Sequence, residues 1–160
     1  MGFIPGVVPV SVQRASAVLA AAGAWDTDPE EVITPGCSHV TVLCRYVRGG
    51  AAGAFDIRIE VSEYSTDAGT LGVGIWHDVS IEQLGAFAAG ADVASDLQRS
   101  GHITYTATGA AAESVAYELQ LSGIERIRIG ARESGNVGAP GTLEIVCSLT
   151  PADGNGWGQA

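Results

Sequence analysis

The sequence is poor in charged side chains, aromatic rings and cysteine. Only 16% of its 160 residues are charged and 6% are aromatic, and its eight cationic side chains are all arginine. A net charge of −10 disfavours contact with phosphate backbones and anionic bilayers, so we expect neither a nucleic-acid nor a membrane partner. Because an average globular protein carries about 25% charged residues, the shortfall also predicts apolar surface that a partner covers, most simply a second copy of the chain.

Long apolar runs are missing as well. No segment approaches the roughly 20 consecutive apolar residues that cross a bilayer. The first ten residues, Met1–Val10, carry no cationic n-region, and Pro5 and Pro9 interrupt their apolar run, unlike a secretory signal. We therefore expect a chain that is made and kept in a cytosol.

The three cysteines leave at least one thiol unpaired within the chain. Cys37 and Cys44 lie on one predicted strand, where seven extended residues span about 23 Å, too far for a disulfide. Cys147 alternates in phase with its apolar neighbours and is expected to be a small buried hydrophobe. We predict that the thiols are structural.

What the sequence has in abundance is period-two alternation, which is typical of strands with one buried and one wet face. About eight short strands and no long helix predict an all-β fold, an antiparallel sandwich or barrel. We expect the strand Phe55–Val61 to pair with the strand Ser38–Arg48 as an antiparallel hairpin through the Gly49–Gly53 turn. The clearest strands are Ser38–Arg48, Phe55–Val61, Val115–Leu121, Ile127–Ala131 and Leu143–Leu149.

Other segments are less regular. Val12–Ala22 would tolerate a helix, but its all-β surroundings favour a strand, and Glu31–Thr34 is a short strand. Val73–Val79 is expected to be a strand whose Trp76 fills the core, and Ser80 with Gln83 resembles a capping box for a short helix. Gln98–Thr108 is β-like.

The expected organisation is an extended arm over 1–10, a single sandwich domain over 11–150 and a flexible tail over 151–160. The arm contains two prolines and a glycine, which prevent helix and discourage central-strand pairing.

Reactive groups do not form a recognisable motif. His39, His77 and His102 are scattered, without a second ligand at metal-binding spacing. The cluster from Asp26 to Glu31 resembles a calcium loop only superficially, because its sixth and twelfth positions are Glu31 and Cys37 instead of Gly and Glu. Asp26 and Asp28 are expected to cap backbone amides of a turn. We predict no catalytic residue, no cofactor and no metal site, and hence no enzyme.

Arginine is the remaining polar feature. Arg126, Arg128 and Arg132 share one face of a strand, and Arg45, Arg48 and Arg58 occupy the predicted hairpin. They would form either a solvated face paired with Asp56, Glu60, Glu125 and Glu133, or ion pairs between subunits, for which the guanidinium fork is suited.

The order of segments resembles small virion proteins of tailed bacteriophages. The resemblance covers about residues 11–150. It is carried by AAGAWD at 21–26, VTVLCRYVRGG at 40–50, IRIEVS at 57–62, the tryptophan at 76, and most specifically RIRIGARESGNVGAPGTLEI at 126–145. It implies a jelly-roll-like β-sandwich that acts as a capsid decoration, or cement, protein. Such a protein sits on the outer surface of the virion capsid after assembly in the host cytoplasm, binds the major capsid protein, and forms homo-oligomers, with a trimer expected.

The residues expected to contact the partner are those of the arm and two tryptophans outside the strands. Main-chain pairing of the arm with a strand edge of the shell, repeated around an oligomer, would bind by avidity. The alternative is a carbohydrate-binding or receptor-binding sandwich of a phage fibre, for which a planar row of exposed aromatic rings would be the mark. The expected contact residues are Phe3, Ile4, Val7, Val8, Trp25 and Trp157.

Overall fold

The computed structural model describes residues 10–27, 29–62, 76–79, 102–109, 111–121 and 123–152. The arm residues before Val10, the predicted capping box at Ser80 and the tail from residue 153 lie outside the described residues. Within them the fold is all-β, as predicted. The only helical segment there is one 3-10 turn at Ala21–Gly23.

Nine strands are present in the described part of the chain. The segment for which helix and strand were both open forms a strand, since Val10–Val18 is the first of the nine. The last strand runs to Pro151, one residue past the expected end of the domain. The strands are β1 Val10–Val18, β2 Glu31–Ile33, β3 Cys37–Val47, β4 Ala54–Ser62, β5 His77–Asp78, β6 His102–Thr106, β7 Glu113–Gln120, β8 Arg126–Glu133 and β9 Thr142–Pro151.

The strands form two antiparallel sheets. Sheet A has the order β1-β9-β3-β7, and sheet B has the order β2-β8-β4-β5, with β6 also pairing with β4. One long antiparallel ribbon accounts for four of the pairings, namely β1 with β9, β2 with β8, β3 with β7, and β4 with β5 and β6. Two further pairings, β3 with β9 and β4 with β8, join strands of this ribbon within each sheet after it folds over. This is the strand order of a jelly roll.

The core lies between the two sheets and is built from the predicted alternating residues. In β3 the inward side chains are Val40, Val42, Cys44 and Tyr46, each at most 2% exposed. The rings of Tyr46 and Phe55 lie 5.1 Å apart and connect the two sheets. Burial of such side chains contributes about 1.5–3 kcal/mol each, the main favourable term for the fold.

The predicted hairpin of β3 and β4 is wrong. β3 pairs with β7 and β9 in sheet A, whereas β4 pairs with β8, β5 and β6 in sheet B. The Gly49–Gly53 segment therefore crosses from one sheet to the other. A Cβ atom on Gly49 would lie 2.3 Å from the carbonyl oxygen of Pro140, so this close crossing requires glycine there.

The buried carboxylate of Glu133 stabilises the loop between β8 and β9 through hydrogen bonds. Glu133, expected to pair with arginine on a solvated face, is 1% exposed and points instead into this loop. Burial raises the pKa of its carboxyl, but the hydrogen bonds that it accepts outweigh burial and hold the pKa below its ordinary value. It accepts hydrogen bonds from the hydroxyl of Tyr46 (2.8 Å) and the backbone N–H groups of Gly141 (2.9 Å), Asn136 (3.0 Å), Ala54 (3.2 Å) and Gly135 (3.2 Å).

Candidate functional site

The outward face of sheet A carries an apolar row that crosses all four strands. In the register, Leu43 lies opposite Ala116 of β7 on one side and Val146 of β9 on the other, and Val146 lies opposite Val12 of β1. Leu43 is 43% exposed and Val12 57% exposed. We call Ala116, Leu43, Val146 and Val12 the apolar row.

Further apolar side chains lie around this row. Val10 pairs with Ser148 on one side of it, and Val18 and Val47 both pair with Thr142 beyond Arg45 on the other. All three valines are exposed. Neighbouring exposed apolar side chains of this kind typically mark a site of protein contact, which agrees with the apolar surface predicted from composition.

The outward face of sheet B is chemically different, because its charged groups are paired within the chain. Arg128 donates to both oxygens of Glu60 at 2.9 and 3.1 Å. Arg132 donates to Asp56 at 2.7 Å, and Arg126 donates to Glu31 at 2.7 Å.

These contacts confirm the expected pairing with Asp56 and Glu60 and correct the expectation of a fully solvated face. Arg126 and Asp56 are buried, at 2% and 1% exposed, so this part of the face is not simply solvated. The carboxylates that pair with Arg126, Arg128 and Arg132 belong to the same subunit, so ion pairs between subunits are not needed to satisfy these three arginines. Glu125 and Glu133, two of the expected partners, do not take part in these ion pairs.

Two tryptophans lie on this outward face of sheet B. Trp25 packs over Gly130, with the guanidinium groups of Arg132 and Arg58 at 4.5 and 5.1 Å from its ring. Trp76 stacks with Arg128 and Arg126 at 4.3 and 4.9 Å. Each cation–π contact of this kind contributes about 0.5–1 kcal/mol at a partly exposed site.

The expectation that Trp76 fills the core is therefore wrong. Trp76 is half-buried on the outside, and Val79, three residues later and on the opposite face, takes the inward position at 2% exposed. Of the predicted contact residues, Trp25 is half-buried on sheet B. Phe3, Ile4, Val7, Val8 and Trp157 lie outside the described residues, so their role stays a prediction.

A cavity of about 670 Å³ opens beside the Arg132–Asp56 pair. His102 Nε2 lies 3.5 Å from Asp56 Oδ2, and the hydroxyl of Thr104 donates to the other oxygen of Asp56 at 2.7 Å. The cavity thus presents a guanidinium, an imidazole and hydroxyl groups to solvent. Such a set can hydrogen-bond a small polar ligand.

Asp26 does not cap a turn as predicted, and the prediction for Asp28 stays a prediction. Asp26 accepts a hydrogen bond from Arg14 Nε at 3.0 Å, and Asp28 lies outside the described residues. The same guanidinium donates to the carbonyl oxygens of Ala17 at 2.9 Å and Val18 at 3.2 Å. Arg14 thereby covers the carboxyl-terminal end of β1, which lies at the edge of sheet A.

The thiols are structural, as predicted. Cys37, Cys44 and Cys147 are free and buried. Burial raises the pKa of Cys147 to about 12, and burial together with the neighbouring Cys147 raises the pKa of Cys44 to about 12. These two thiols therefore stay protonated and unreactive at neutral pH.

Two of the three histidines lie beside carboxylates, on different sheets. His39 lies 3.8 Å from Glu118 on sheet A, and His102 lies beside Asp56 on sheet B. Among the described residues, no group of three His, Cys, Asp or Glu side chains is placed to hold a metal ion.

Comparison with protein-family models, with curated proteins and with solved structures gave no match. In the portion of the chain that the structure covers, no helix has the length and apolar character needed to cross a bilayer. The outward faces of the two sheets are therefore the features from which a function is inferred.

Proposed function

We propose that this chain is a structural virion protein, a decoration protein that binds the outer capsid shell of a tailed bacteriophage and stabilises it. The observation that carries the proposal is the edge strand β1, which pairs only with β9 among the described strands and exposes Val10 and Val12. The jelly-roll order supports the proposal, since capsid proteins use this architecture. Lectins use it too, so the fold alone does not choose the function.

The proposed contact is strand addition. Val10 begins β1, so the arm residues 1–9 enter the domain at the edge of sheet A. Arg14 covers the opposite end of that edge through the carbonyls of Ala17 and Val18, which leaves the Val10 end, where the arm is attached, as the place where the arm would pair with a strand edge of the major capsid protein. Backbone pairing would supply affinity, and repetition over the shell would add avidity.

The test is co-sedimentation with capsids that lack the protein. The full chain is expected to pellet with the capsids. A chain lacking residues 1–9 is expected to stay in solution while retaining the circular dichroism spectrum of a folded β protein. The point variant Ile4→Asp should also lose binding, and Val137→Asp, at an exposed loop position, should keep it. Undiminished pelleting of the truncated chain would count against strand addition by the arm.

One observation favours a second candidate function, carbohydrate binding. Trp25 and Trp76 lie on the same outward sheet face, and Trp25 lies next to the cavity that contains Arg132 and His102. Aromatic rings beside polar side chains are a recurring way to bind sugars on a β-sandwich. Here each ring already has two guanidinium groups against it, so the stacking surface left for a sugar is reduced. Shell binding therefore remains the first proposal.

A further inference from the structure

The apolar row on the outward face of sheet A is exposed to water in the single chain, and packing of another protein molecule on this face would bury it. All four of its residues, and the valines around it, are described by the structure and lie in strands, of which β1 changes register after Val12. We propose that a second copy of this chain packs on this face, sheet A against sheet A, with the apolar row at the centre of the contact.

The available area fits a modest but stable dimer. Four strands about 4.8 Å apart and nine residues long at about 3.4 Å per residue span roughly 600 Å² per copy. Stable interfaces bury about 600–1,000 Å² per partner, so the whole sheet face is needed. Exposed Leu43 lies in the middle of this area, where fully desolvated anchors contribute most.

The charges on this face also permit a second copy. The chain as a whole carries a net charge of −10. On the outward face of sheet A, Arg45 contributes a charge of +1, and Glu118 and Glu144 together contribute −2. The net charge of the face is therefore −1, with histidine counted as neutral as it is for the whole chain. One net negative charge per face gives only a weak, salt-screened repulsion between two copies.

The register also favours one arrangement. A two-fold axis along the apolar row places Arg45 of one copy over Thr41 of the other, because these residues lie on either side of Leu43 in β3. Thr41 pairs with Glu118, so each Arg45 comes one strand away from a Glu118 of the second copy. The same axis avoids placing Arg45 over Arg45, and such self-complementarity is what a two-fold interface requires.

This inference deepens the proposed function, and only its biological setting rests on that proposal. It predicts a dimer, whereas the resemblance to decoration proteins implies a trimer. It is tested on the purified full chain without capsids. The dimer can therefore be absent although the chain binds capsids, or present although the chain does not bind capsids.

The experiment is light scattering coupled to size-exclusion chromatography over a concentration series. We expect the mass of two chains of 16.3 kDa each for the wild type. Leu43→Glu should give the mass of one chain, because the two introduced carboxylates would face each other. Val137→Glu is the matched control, since Val137 is also 43% exposed but lies in the loop after β8, and it should remain a dimer.

If Leu43→Glu does not fold, as judged by circular dichroism, Leu43→Ser takes its place. This variant should raise the dimer dissociation constant about 10- to 80-fold, because the exposed 43% of one Leu side chain is withdrawn from each side of the contact. A wild-type monomer, a wild-type trimer, or a Leu43 variant that folds and dimerises like the wild type would each overturn the inference.

Discussion

The substitution Glu133→Gln tests whether the buried carboxylate holds the β8–β9 loop and the start of β4 together. The side chain keeps its size and shape, while one acceptor oxygen becomes an NH₂ donor. If that oxygen is Oε2, the N–H of Gly141 faces another donor; if it is Oε1, the N–H groups of Ala54, Gly135 and Asn136 do. Either way at least one buried N–H loses its acceptor.

The magnitude follows from the hydrogen-bond pattern. A buried donor left unsatisfied costs about 1–3 kcal/mol. The remaining bonds change from charge-assisted to neutral ones, which lowers their contribution by about 1 kcal/mol each. When Oε2 is replaced, one donor is unsatisfied and three such bonds remain, so the variant should lose about 4–6 kcal/mol, a large part of the 5–15 kcal/mol typical of domain stability.

The assay is equilibrium urea unfolding at pH 7, with the free energy of unfolding compared at equal protein concentration. The matched control is Glu30→Gln, the same chemical change at an exposed site just before β2, away from the outward face of sheet A. The control should change stability by less than about 0.5 kcal/mol. A Glu133→Gln variant within 1 kcal/mol of the wild type would refute the reasoning.

The pH dependence gives a second readout of the same substitution. The folded-state pKa of Glu133 lies below its unfolded value, which is near 4.3 for glutamate. The carboxylate therefore contributes stability that is fully present well above pH 4.3 and is lost as pH falls through the folded pKa. The stability difference between wild type and Glu133→Gln should shrink as pH falls below about 4.

Two further predictions concern the Ala21–Gly23 turn and the tryptophan face. Ala22 has φ 61° and ψ 20°, a left-handed conformation that costs a residue with Cβ about 1–2 kcal/mol, so Ala22→Gly should raise the free energy of unfolding by about 1 kcal/mol. Ala24→Gly, at φ −71°, should lower it; a less stable Ala22→Gly variant would contradict this conformation. On a glycan array, the wild type should bind no more glycan than the Trp25→Ala variant does. Glycan binding by the wild type that the variant loses would favour the carbohydrate-binding candidate.

Alternation in the sequence predicted the core well but could not predict the strand partners. The inward residues Leu143, Ile145, Cys147 and Leu149 are all buried as expected, because period-two patterning fixes which side chains share a face. It does not fix which strand lies alongside. β3 and β4 have equally good patterns and a short connection, and only the three-dimensional closure of the two sheets places them apart.

The surface features needed more than the pattern. Leu43 and Val146 are visible in the sequence as apolar residues at outward positions, yet their adjacency depends on the pairing of β3 with β9, which no local signal encodes. Trp76 was misplaced because a two-residue strand gives too little pattern to set its phase. The pairing of Arg14 with Asp26 was hidden because the turn chemistry of aspartate explained the same residue by itself.

The central claim is that this jelly roll is a passive structural part of a virion, attached to the outside of the shell. An electron cryo-microscopy reconstruction of the virion to which the proposed function assigns the chain tests it most directly. The account predicts two-sheet density of this size on the outer capsid surface, with β1 next to the major capsid protein. A reconstruction of the intact virion that shows no such density on its shell would contradict it.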